Sequence, residues 1–409
     1  MQQIKANSAK QLSFVQRPPK ANFFCFMPSQ PTLTTKDEQF RLQQLAEEGY
    51  PLPHLRGETD NLKADDLHGN IENYIGMARL PVGLAGPLHV NGDHAKGEYH
   101  IPLATSEGAL VASYTRGMKA ITVSGGATAV ILDEGVQRAP YFRFTNLSSA
   151  ARFLSWIAIN GDKFQEITGR TSRYAQFKTI TPFLDGNAVT LLVEFTTGDA
   201  AGQNMVTICT DRICRWILEE SPEKVLEWYI EANASGDKKA NRLAYQRVRG
   251  KKVSVEVVIP RAAVATVLKT TPEAMARFGQ VAAYGSLQSG TLGVQAHFAN
   301  GLAALFIACG QDAACVAEAA TGTVRLEVTA GGDLYASATL PNLIVGSVGG
   351  GTSLPTQREC LELMDCYGAG KAGRLAEITA AVCLAGELSI LAALAAGHFT
   401  SAHERLGRK

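Results

Sequence analysis

The residues best suited to chemistry lie within a mostly apolar stretch, residues 291–316. Its apolar side chains fall at helical spacing, and Gly310 follows them, where a helix often ends in a left-handed cap. Four polar side chains interrupt the stretch: His297, Asn300, Gln311 and Asp312. Asp312 should lie just past a helix end in apolar company, and a carboxylate there needs partners. On this stretch alone, a capped structural aspartate is the commoner explanation.

A second candidate opens the helix that follows a strand expected at 98–103. Ser106 has the side chain of an N-cap, which places Glu107 in the first helical turn. A carboxylate there complements the helix dipole, and that is the common reason for finding one. The role of Glu107 therefore depends on which groups lie beside it.

One side of the same helix combines a hydroxyl with two cations. Ser113 and Arg116 share a face, and Lys119 lies on the adjoining ridge. This combination suits a phosphate-bearing ligand. A solvated basic face is an explanation at least as common.

Residues 140–232 form a distinct module. Its expected elements are a strand at 141–145, a helix at 148–158, strands at 172–181 and 188–197, a helix at 201–219 and a strand at 225–232. This βαββαβ order is that of a ferredoxin-like fold. The loop before its second helix, 196–205, has amides that can hold a pyrophosphate, and Arg173 can pair with a phosphate.

The elements around this module belong to a larger unit. A polar loop at 233–242 carries Asp237, Lys238 and Lys239, a pattern typical of a solvated turn. The other expected elements are a helix at 37–48, tight turns at 70–88, a strand at 252–259, a helix at 261–278, strands at 323–329 and 334–340, and helices at 356–367 and 374–396. Residues 368–373 match G-x-G-x-x-G but follow a helix, so they are not a dinucleotide fingerprint.

Composition argues against several classes of protein. Of 409 residues, 46% are hydrophobic and 19% charged, and a net charge of +1 disfavours binding to nucleic acid or an anionic membrane. The cysteines contain no CxxC pair and several lie in apolar patterns, so reduced thiols and a cytoplasmic location are expected. The histidines form no ligand-spaced cluster, so no metal is expected. The apolar window 378–397 could span a bilayer, but Glu387 within it favours a buried core helix.

Several segments taken together resemble 3-hydroxy-3-methylglutaryl-CoA (HMG-CoA) reductases. They are ENYIGMARLPVGLAGPL, ATSEGALVASYTRGMKAI, GDAAGQNM, DKK, HFANGLAALFIACGQDAA, VGGGT and AGELSILAALAAGHFTSAH. They occur in the family's order and cover about residues 65–408. GQDAA and the split module resemble class I, the biosynthetic, NADPH-using branch, in a form without a membrane anchor.

The resemblance implies an α+β fold with three parts. A large substrate and CoA domain, 71–139 plus 233–409, is built around a central helix, the ferredoxin-like NADP-binding domain 140–232 is inserted in it, and residues 1–70 form an arm with a small helical region. The implied reaction takes HMG-CoA through a hemithioacetal and an aldehyde to mevalonate, with two NADPH consumed and CoA released. The implied assembly is a homo-oligomer, a tetramer, whose active sites are shared between two subunits at a dimer interface.

The resemblance also assigns roles to positions. The catalytic positions correspond to Glu107, Lys238, Asp312 and His403. The substrate-binding positions correspond to Arg138, Asp237, Lys239 and Asn300, and the CoA-binding positions to Ser113, Arg116, Lys119 and Lys269. The cofactor-binding positions correspond to Ser172, Arg173, Tyr174, Asp199, Gly202, Asn204 and Gln311. An arginine beside the ribose is the usual means of accepting a 2′-phosphate.

The implied reaction needs these residue types. Lys238 can stabilise the negative charge that hydride attack builds on oxygen, and His403 can protonate the leaving thiolate. Glu107 is the candidate acid for the second reduction. A neighbouring carboxylate can raise its pKa by more than the helix dipole lowers it, so Asp312 is expected close to Glu107 and hydrogen-bonded to Lys238. We therefore expect Asp312 to couple the two catalytic side chains.

Some positions depart from the animal-type pattern. Glu231 stands where a substrate-contacting serine is expected, Ala240 replaces a proline, Ala402 replaces a serine and Lys409 occupies the position of a regulatory phosphoserine. Two alternative functions stay open at this point. One is the reverse, NADH-linked reaction in mevalonate breakdown, which Ser172 and Arg173 disfavour. The other is a non-catalytic CoA-binding homologue, which the presence of all four catalytic types disfavours.

Overall fold

The computed structural model of the chain describes residues 34–59 and 62–397. The strands are β1 Val82–Gly92, β2 Lys96–Ala104, β3 Ala127–Arg138, β4 Tyr141–Arg143, β5 Gln176–Asp185, β6 Ala188–Thr196, β7 Glu227–Tyr229, β8 Gly250–Ile259, β9 Thr323–Val328 and β10 Leu334–Leu343. The helices are α1 Thr35–Glu47, α2 Leu110–Val123, α3 Leu147–Ala158, α4 Gly161–Thr171, α5 Gln203–Glu220, α6 Leu243–Gln246, α7 Arg261–Ala263, α8 Pro272–Ser289, α9 Phe298–Ala308, α10 Val316–Ala319, α11 Pro355–Leu363 and α12 Ala372–Ala395. His403, the expected catalytic imidazole, lies outside the described residues, as does most of the expected N-terminal arm.

The inserted module has the predicted ferredoxin-like order. Its strands lie side by side as β7-β4-β6-β5, and each neighbouring pair is antiparallel. Asn146 caps α3 by accepting a hydrogen bond from the Ser149 amide, and the buried Phe153 of that helix packs on the sheet. The helix α4, whose 11 residues bury Phe164 and Thr168, was not predicted.

The larger unit is a mixed sheet wrapped around one buried helix. Its strands run β2-β1-β3-β8-β10-β9, and β3 continues into the module, where its last residues pair with β6. The core helix is α12, against which α2 packs closely because a Cβ at Gly117 would strike the backbone of Ala385. This helix is long and apolar enough to cross a membrane, but 83% of its apolar window is buried inside the protein, so it is the core helix that the sequence predicts.

The predicted turns at 70–88 are wrong in their second half, which is the strand β1. The pairing of β1 with β2 shifts register between Ala85 and Leu88, so Pro87 falls where the ladder is already interrupted. Gly and Pro in this segment therefore mark a bulged strand. The strand β3, which ends at Arg138, was not predicted either.

The predicted start of α2 is also wrong. Its N-cap is Ala109, in the left-handed region with φ 71°, and Ser106 lies outside the helix. Glu107 is therefore in the preceding loop, where its amide donates to Thr105 Oγ1 at 2.9 Å. Glu107 thus lies outside the first helical turn, where the helix dipole mainly acts.

The single helix predicted at 261–278 is divided. A π-helical segment at Val264–Leu268 follows α7 and ends at Lys269, whose φ is 60°. A new helix, α8, then starts with Pro272 at its first position and with Thr271 as its N-cap. The apolar periodicity runs across this break and hides it from sequence inspection.

Candidate active site

Lys238 and Asp312 form the charged pair at the centre of the candidate site. Lys238 Nζ lies 3.0 Å from Asp312 Oδ2, and 42% of the lysine and 35% of the aspartate side chain are exposed. The hydrogen bond to Asp312 raises the pKa of Lys238. Partial burial acts to raise the pKa of Asp312. The hydrogen bonds from Lys238 and from the Ala314 amide outweigh this effect, so the pKa is lowered overall. Both groups are therefore charged across the physiological range.

The end of α9 places Asp312 in this pair. Gly310 adopts φ 65°, and the Gln311 amide bonds the Phe306 carbonyl at 2.9 Å, which is the Schellman arrangement expected of a glycine-ended helix. The chain then turns so that Asp312 caps the short 3₁₀ turn Ala313–Cys315. Asp312 thus has both a structural role as a cap and a contact with Lys238.

The loop that carries Lys238 is held by other charges. Asp237 lies between two arginines, Arg249 and Arg138, and its Oδ2 is 3.5 Å from Arg138 Nη1. The Arg138 side chain also donates to Thr207 Oγ1 and to the Gln203 carbonyl. Asp237 and Arg138, both predicted to bind substrate, are thus engaged with the protein. Lys239 is exposed, and its Nζ donates to the Asp237 carbonyl at 2.7 Å. Their substrate roles stay predictions.

Glu107 forms a separate half of the site with Asn300. The Asn300 amide donates to Glu107 Oε2 at 2.9 Å, and Glu107 is exposed. In the described part of the chain, no hydrogen bond or ion pair joins Glu107 to Lys238 or Asp312. Asn300 lies in the first turn of α9 and Ala308 ends it, so the helix alone separates the two halves by about 12 Å. The contact expected between Asp312 and Glu107 is therefore not made within one chain.

A buried carboxylate fixes the start of α9 next to Asn300. Glu387 of α12 is 1% exposed and accepts hydrogen bonds from the amides of Ala296 and His297. Burial raises the pKa of Glu387 to about 7 in spite of those bonds. The His297 ring stacks on Tyr114 with centroids 4.9 Å apart, and the Tyr114 hydroxyl donates to the His297 carbonyl at 2.6 Å. From the sequence, Glu387 was used only as an argument against a membrane span.

The residues predicted to bind CoA divide into two kinds. Ser113 Oγ and Arg116 Nε both donate to the Ser389 hydroxyl of α12, at 2.9 and 3.0 Å. Lys119 and Lys269 are exposed on the surface, where the phosphates of a ligand can reach them. Of the basic face predicted on α2, Lys119 is thus exposed, while Ser113 and Arg116 also brace α2 against α12.

Comparison with known proteins gives this geometry a family. A family model described as hydroxymethylglutaryl-coenzyme A reductase matches residues 38–408. This chain belongs to that family. It is similar to the 3-hydroxy-3-methylglutaryl-coenzyme A reductases of Pyrococcus horikoshii, with 46% identity over 83% of this chain and 84% of the relative, and of Aeropyrum pernix, with 47% identity over 85% and 84%.

Solved structures agree at the level of the fold. A class II HMG-CoA reductase from Streptococcus pneumoniae, bound to NADPH in open conformations, matches with a TM-score of 0.70 and covers 87% of this chain and 96% of that chain. At 20% identity this likeness shows the shared α+β fold alone. As an HMG-CoA reductase by family, the protein is an oxidoreductase.

The start of α5 is suited to binding an anion such as a pyrophosphate. Gly202 caps the helix with φ 79° and without a side-chain hydrogen bond, and a Cβ there would strike Thr197. Asn204, in the first turn, is exposed. An uncapped N-terminus of an 18-residue helix offers amide donors and a positive dipole end to an anion. Across the module, Arg173 and Tyr174 are also exposed, and Ser172 Oγ accepts the Tyr174 amide at 3.2 Å.

Two other predicted cofactor residues are occupied by the protein itself. The Asp199 carboxylate accepts the amides of Gly370 and Ala372 at 2.7 and 3.1 Å, and so caps α12. Gln311 bonds both backbone groups of Gly346, at 2.8 and 3.0 Å. The Asp199 contacts fasten the loop 196–205 to the G-x-G-x-x-G string 368–373, which follows α11 as predicted. The Gln311 contacts fasten the end of α9 to Gly346.

Sequence inspection missed the residue that joins the cofactor loop to the charged pair. Gln203, the first residue of α5, donates from Nε2 to Asp312 Oδ2 at 3.3 Å and to Cys315 Sγ at 3.1 Å. Its position between Gly202 and Asn204 was the available signal, since its neighbours were both predicted to bind cofactor.

Glu231, which replaces the expected serine, has a structural task in this reductase. Its carboxylate accepts the amides of Ala139 and Ala234 at 3.1 Å each. These bonds tie the start of the Lys238 loop to the end of β3. The departure from the animal-type pattern thus fixes the loop from inside the protein.

Proposed function

We propose that the chain reduces HMG-CoA to mevalonate and CoA with NADPH, with Lys238, Asp312, Glu107 and His403 as its catalytic residues. The observation that carries the proposal is the 3.0 Å contact between Lys238 Nζ and Asp312 Oδ2 beside the start of α5. NADPH supplies a hydride in each of the two reductions. The protein must stabilise charge on the substrate oxygen and deliver two protons.

Lys238 has the charge and the position for the first of these tasks. Its ammonium is kept protonated by Asp312, and 42% of its side chain is exposed to the site. An oxygen that becomes negative during hydride attack is stabilised by such a preorganised cation. Asp312 acts through Lys238, whose charge and orientation it holds.

Glu107 and His403 are proposed to deliver the protons. Glu107 is oriented by Asn300 and stays accessible, as an acid for the alcohol oxygen must be. His403 lies outside the described residues and is proposed for the leaving thiolate on its chemistry, since an imidazole titrates near neutral pH.

We propose that two subunits complete each site as part of a homo-oligomer, with a tetramer as the full assembly. The separation of Glu107 from Lys238 within one chain supports this. So does an apolar exposed surface beside Glu107 at residues 71–82, where Ile75 is fully exposed and Met77 and Leu80 are more than 40% exposed. A second copy of the chain would cover these side chains and bring its own Lys238 to Glu107.

Co-expression of two inactive variants tests the shared site. Glu107→Gln and Lys238→Met should each abolish turnover, whereas the mixed population should recover about a quarter of the wild-type rate, because half of randomly formed dimers are mixed and each has one intact site. If the mixture stays inactive while mixed dimers form, each site belongs to one chain.

We further propose that the protein belongs to class I and works in the cytoplasm. The segment GQDAA, which resembles class I, supports the class. The cysteines of the described residues are unpaired and buried, which suits a reducing compartment.

The defining experiment is a spectrophotometric assay of NADPH and NADH oxidation with HMG-CoA. Oxidation of NADPH, with two molecules consumed per CoA released and a lower kcat/KM for NADH, is the expected result. Preference for NADH would favour the degradative reaction. No oxidation by folded protein that binds CoA would favour a non-catalytic homologue.

A further inference from the structure

The backbone of Lys238 rests on a buried carboxylate. Glu318 is 0% exposed, and its Oε1 accepts the Lys238 amide at 3.0 Å. Lys238 itself has φ 58°, in the left-handed region that a lysine seldom adopts. A residue stays in such a conformation only where its surroundings hold it there.

A buried arginine links Glu318 to the rest of the loop. Arg249 is 3% exposed, and its Nε lies in ion-pair contact with Glu318 Oε2 at 2.7 Å. Its Nη2 donates to Asp237 Oδ1, and its Nη1 donates to the Gln137 carbonyl at 3.2 Å. One buried ion pair therefore holds two consecutive residues of the loop, Asp237 by its side chain and Lys238 by its backbone.

We propose that Glu318, with Arg249 as its counter-charge, is the positioning residue that aims Lys238 at the substrate oxygen; this rests on the proposed function of Lys238. The lysine stem is long and flexible, so the direction of Nζ depends on where its backbone is fixed. Asp312 holds the far end of that side chain, and Glu318 holds the near end. If the Lys238 ammonium is displaced by about 1 Å, the rate of the reaction should fall about 100-fold.

Glu377 provides a matched control. It is also 0% exposed, and its carboxylate also accepts backbone amides, those of His94 and Ala95 at 2.9 and 2.7 Å. It lies on α12 away from the Lys238 loop. Glu318→Gln and Glu377→Gln therefore make the same chemical change to two equally buried carboxylates, only one of which touches Lys238.

The first readout is steady-state kinetics at a temperature where both variants are folded. We expect Glu318→Gln to lower kcat about 100-fold without changing KM for NADPH, and Glu377→Gln to leave both near wild type. Equal turnover in the two variants would overturn the proposal, because it would show that Glu318 serves only the fold.

A double variant guards against misfolding. Glu318→Leu with Arg249→Leu removes both buried charges, which proteins often tolerate better than one unpaired charge. We expect it to fold and to lack turnover like Glu318→Gln. Near wild-type turnover in the double variant would show that the two side chains only neutralise each other.

Hydrogen exchange measures the position of the loop independently of turnover. The segment 235–241 should exchange about tenfold faster in Glu318→Gln than in wild type or Glu377→Gln, because the charged acceptor of the Lys238 amide becomes a neutral one and Arg249 loses its counter-charge. If wild type failed to oxidise NADPH, the proposed function would fall while this measurement still decided the role of Glu318. Unchanged exchange would overturn that role.

Discussion

The N-terminal end of α9 is held by a buried carboxylate, whereas its C-terminal end presents a partly exposed carboxylate to a lysine. Glu387 at the first end is 1% exposed and bonds backbone amides, and its pKa is raised to about 7. Asp312 at the second end bonds Lys238, and its pKa is lowered. Burial thus shifts this functional group toward its protonated form at one end, and a cation stabilises its ionised form at the other.

This difference follows from the partners that each end can reach. Backbone amides satisfy the lone pairs of Glu387 but bring no full charge to offset burial. Asp312 keeps some contact with water and gains an ammonium, so its ionised form is favoured. The buried end therefore serves to fix Asn300 and Glu107 in place, and the exposed end serves to hold a charge ready for substrate.

The largest expected effect concerns the buried end. Between about pH 4.3, the pKa of an unfolded glutamate, and about 7, the folded protein binds a proton on Glu387 that the unfolded chain does not. The free energy of unfolding should therefore fall as pH rises through this window, by about 4 kcal/mol from this group.

Denaturation with urea at pH 5 and pH 8 measures this effect. Glu387→Gln cannot ionise, so its stability should change less over the same range. The nearby His297, whose pKa is lowered by burial, contributes a trend of opposite sign to both proteins. An identical pH dependence in wild type and variant would mean that Glu387 is ionised in the folded protein at pH 5, as Asp312 is.

The second effect concerns the exposed end. Asp312→Asn removes the carboxylate that raises the pKa of Lys238, so the ammonium should lose its proton at a lower pH. We expect kcat to fall about 100-fold, and the alkaline limb of its pH profile to move to lower pH. The measurement is kcat for HMG-CoA from pH 6 to 10. An alkaline limb that stays in place would show that Asp312 does not control Lys238.

The third effect tests the backbone that aims Asp312. In Gly310→Ala the new Cβ would clash with the Gly351 carbonyl. The alanine would also have to adopt φ 65°, which costs free energy for any residue with a Cβ. Gly290, which ends α8 with φ 72° and has open space around it, supplies the matched control. We expect Gly310→Ala to cost about 2 kcal/mol of stability and Gly290→Ala about 1 kcal/mol. Equal losses of stability in thermal denaturation would show that the close approach of Gly310 to the Gly351 carbonyl adds nothing to the cost of the substitution.

The two ends also differ in how far the sequence predicts them. Only Gln311 separates Gly310 from Asp312, and a glycine after an apolar stripe is a local signal, so the helix cap and the position of Asp312 just past the helix end were predicted correctly. Glu387 bonds amides 90 and 91 residues away, a contact that no local pattern contains. The same holds for Glu318 beneath Lys238.

Competing local signals explain the error at Glu107. Ser106 has a strong capping side chain, but the chain between β2 and α2 turns through Ala109 in a left-handed conformation, and the helix starts later. The family resemblance still assigned Glu107 a role, because motifs depend on residue identity. The assignment of Glu107 thus rests on residue identity, whereas the start of α2 depends on a backbone conformation that the local sequence signals did not predict.

The smallest expected effect lies where the cofactor loop meets the exposed end of α9. Gln203 donates to the same Asp312 oxygen that contacts Lys238, and so helps to keep that carboxylate ionised. Gln203→Leu should remove this bond while keeping most of the side-chain volume. A long hydrogen bond to a charged group is worth about 1 kcal/mol, so kcat should fall about fivefold.

The position of Gln203 also predicts which kinetic constants change. Because it begins α5 between Gly202 and Asn204, its loss should raise KM for NADPH together with the fall in kcat, whereas Asp312→Asn should leave KM for NADPH near wild type. Asn204→Ala is the comparison on the cofactor side, since Asn204 is exposed and has no bond to Asp312 in the described part of the chain. If Gln203→Leu and Asn204→Ala had the same kcat and the same KM for NADPH, Gln203 would act only on cofactor binding.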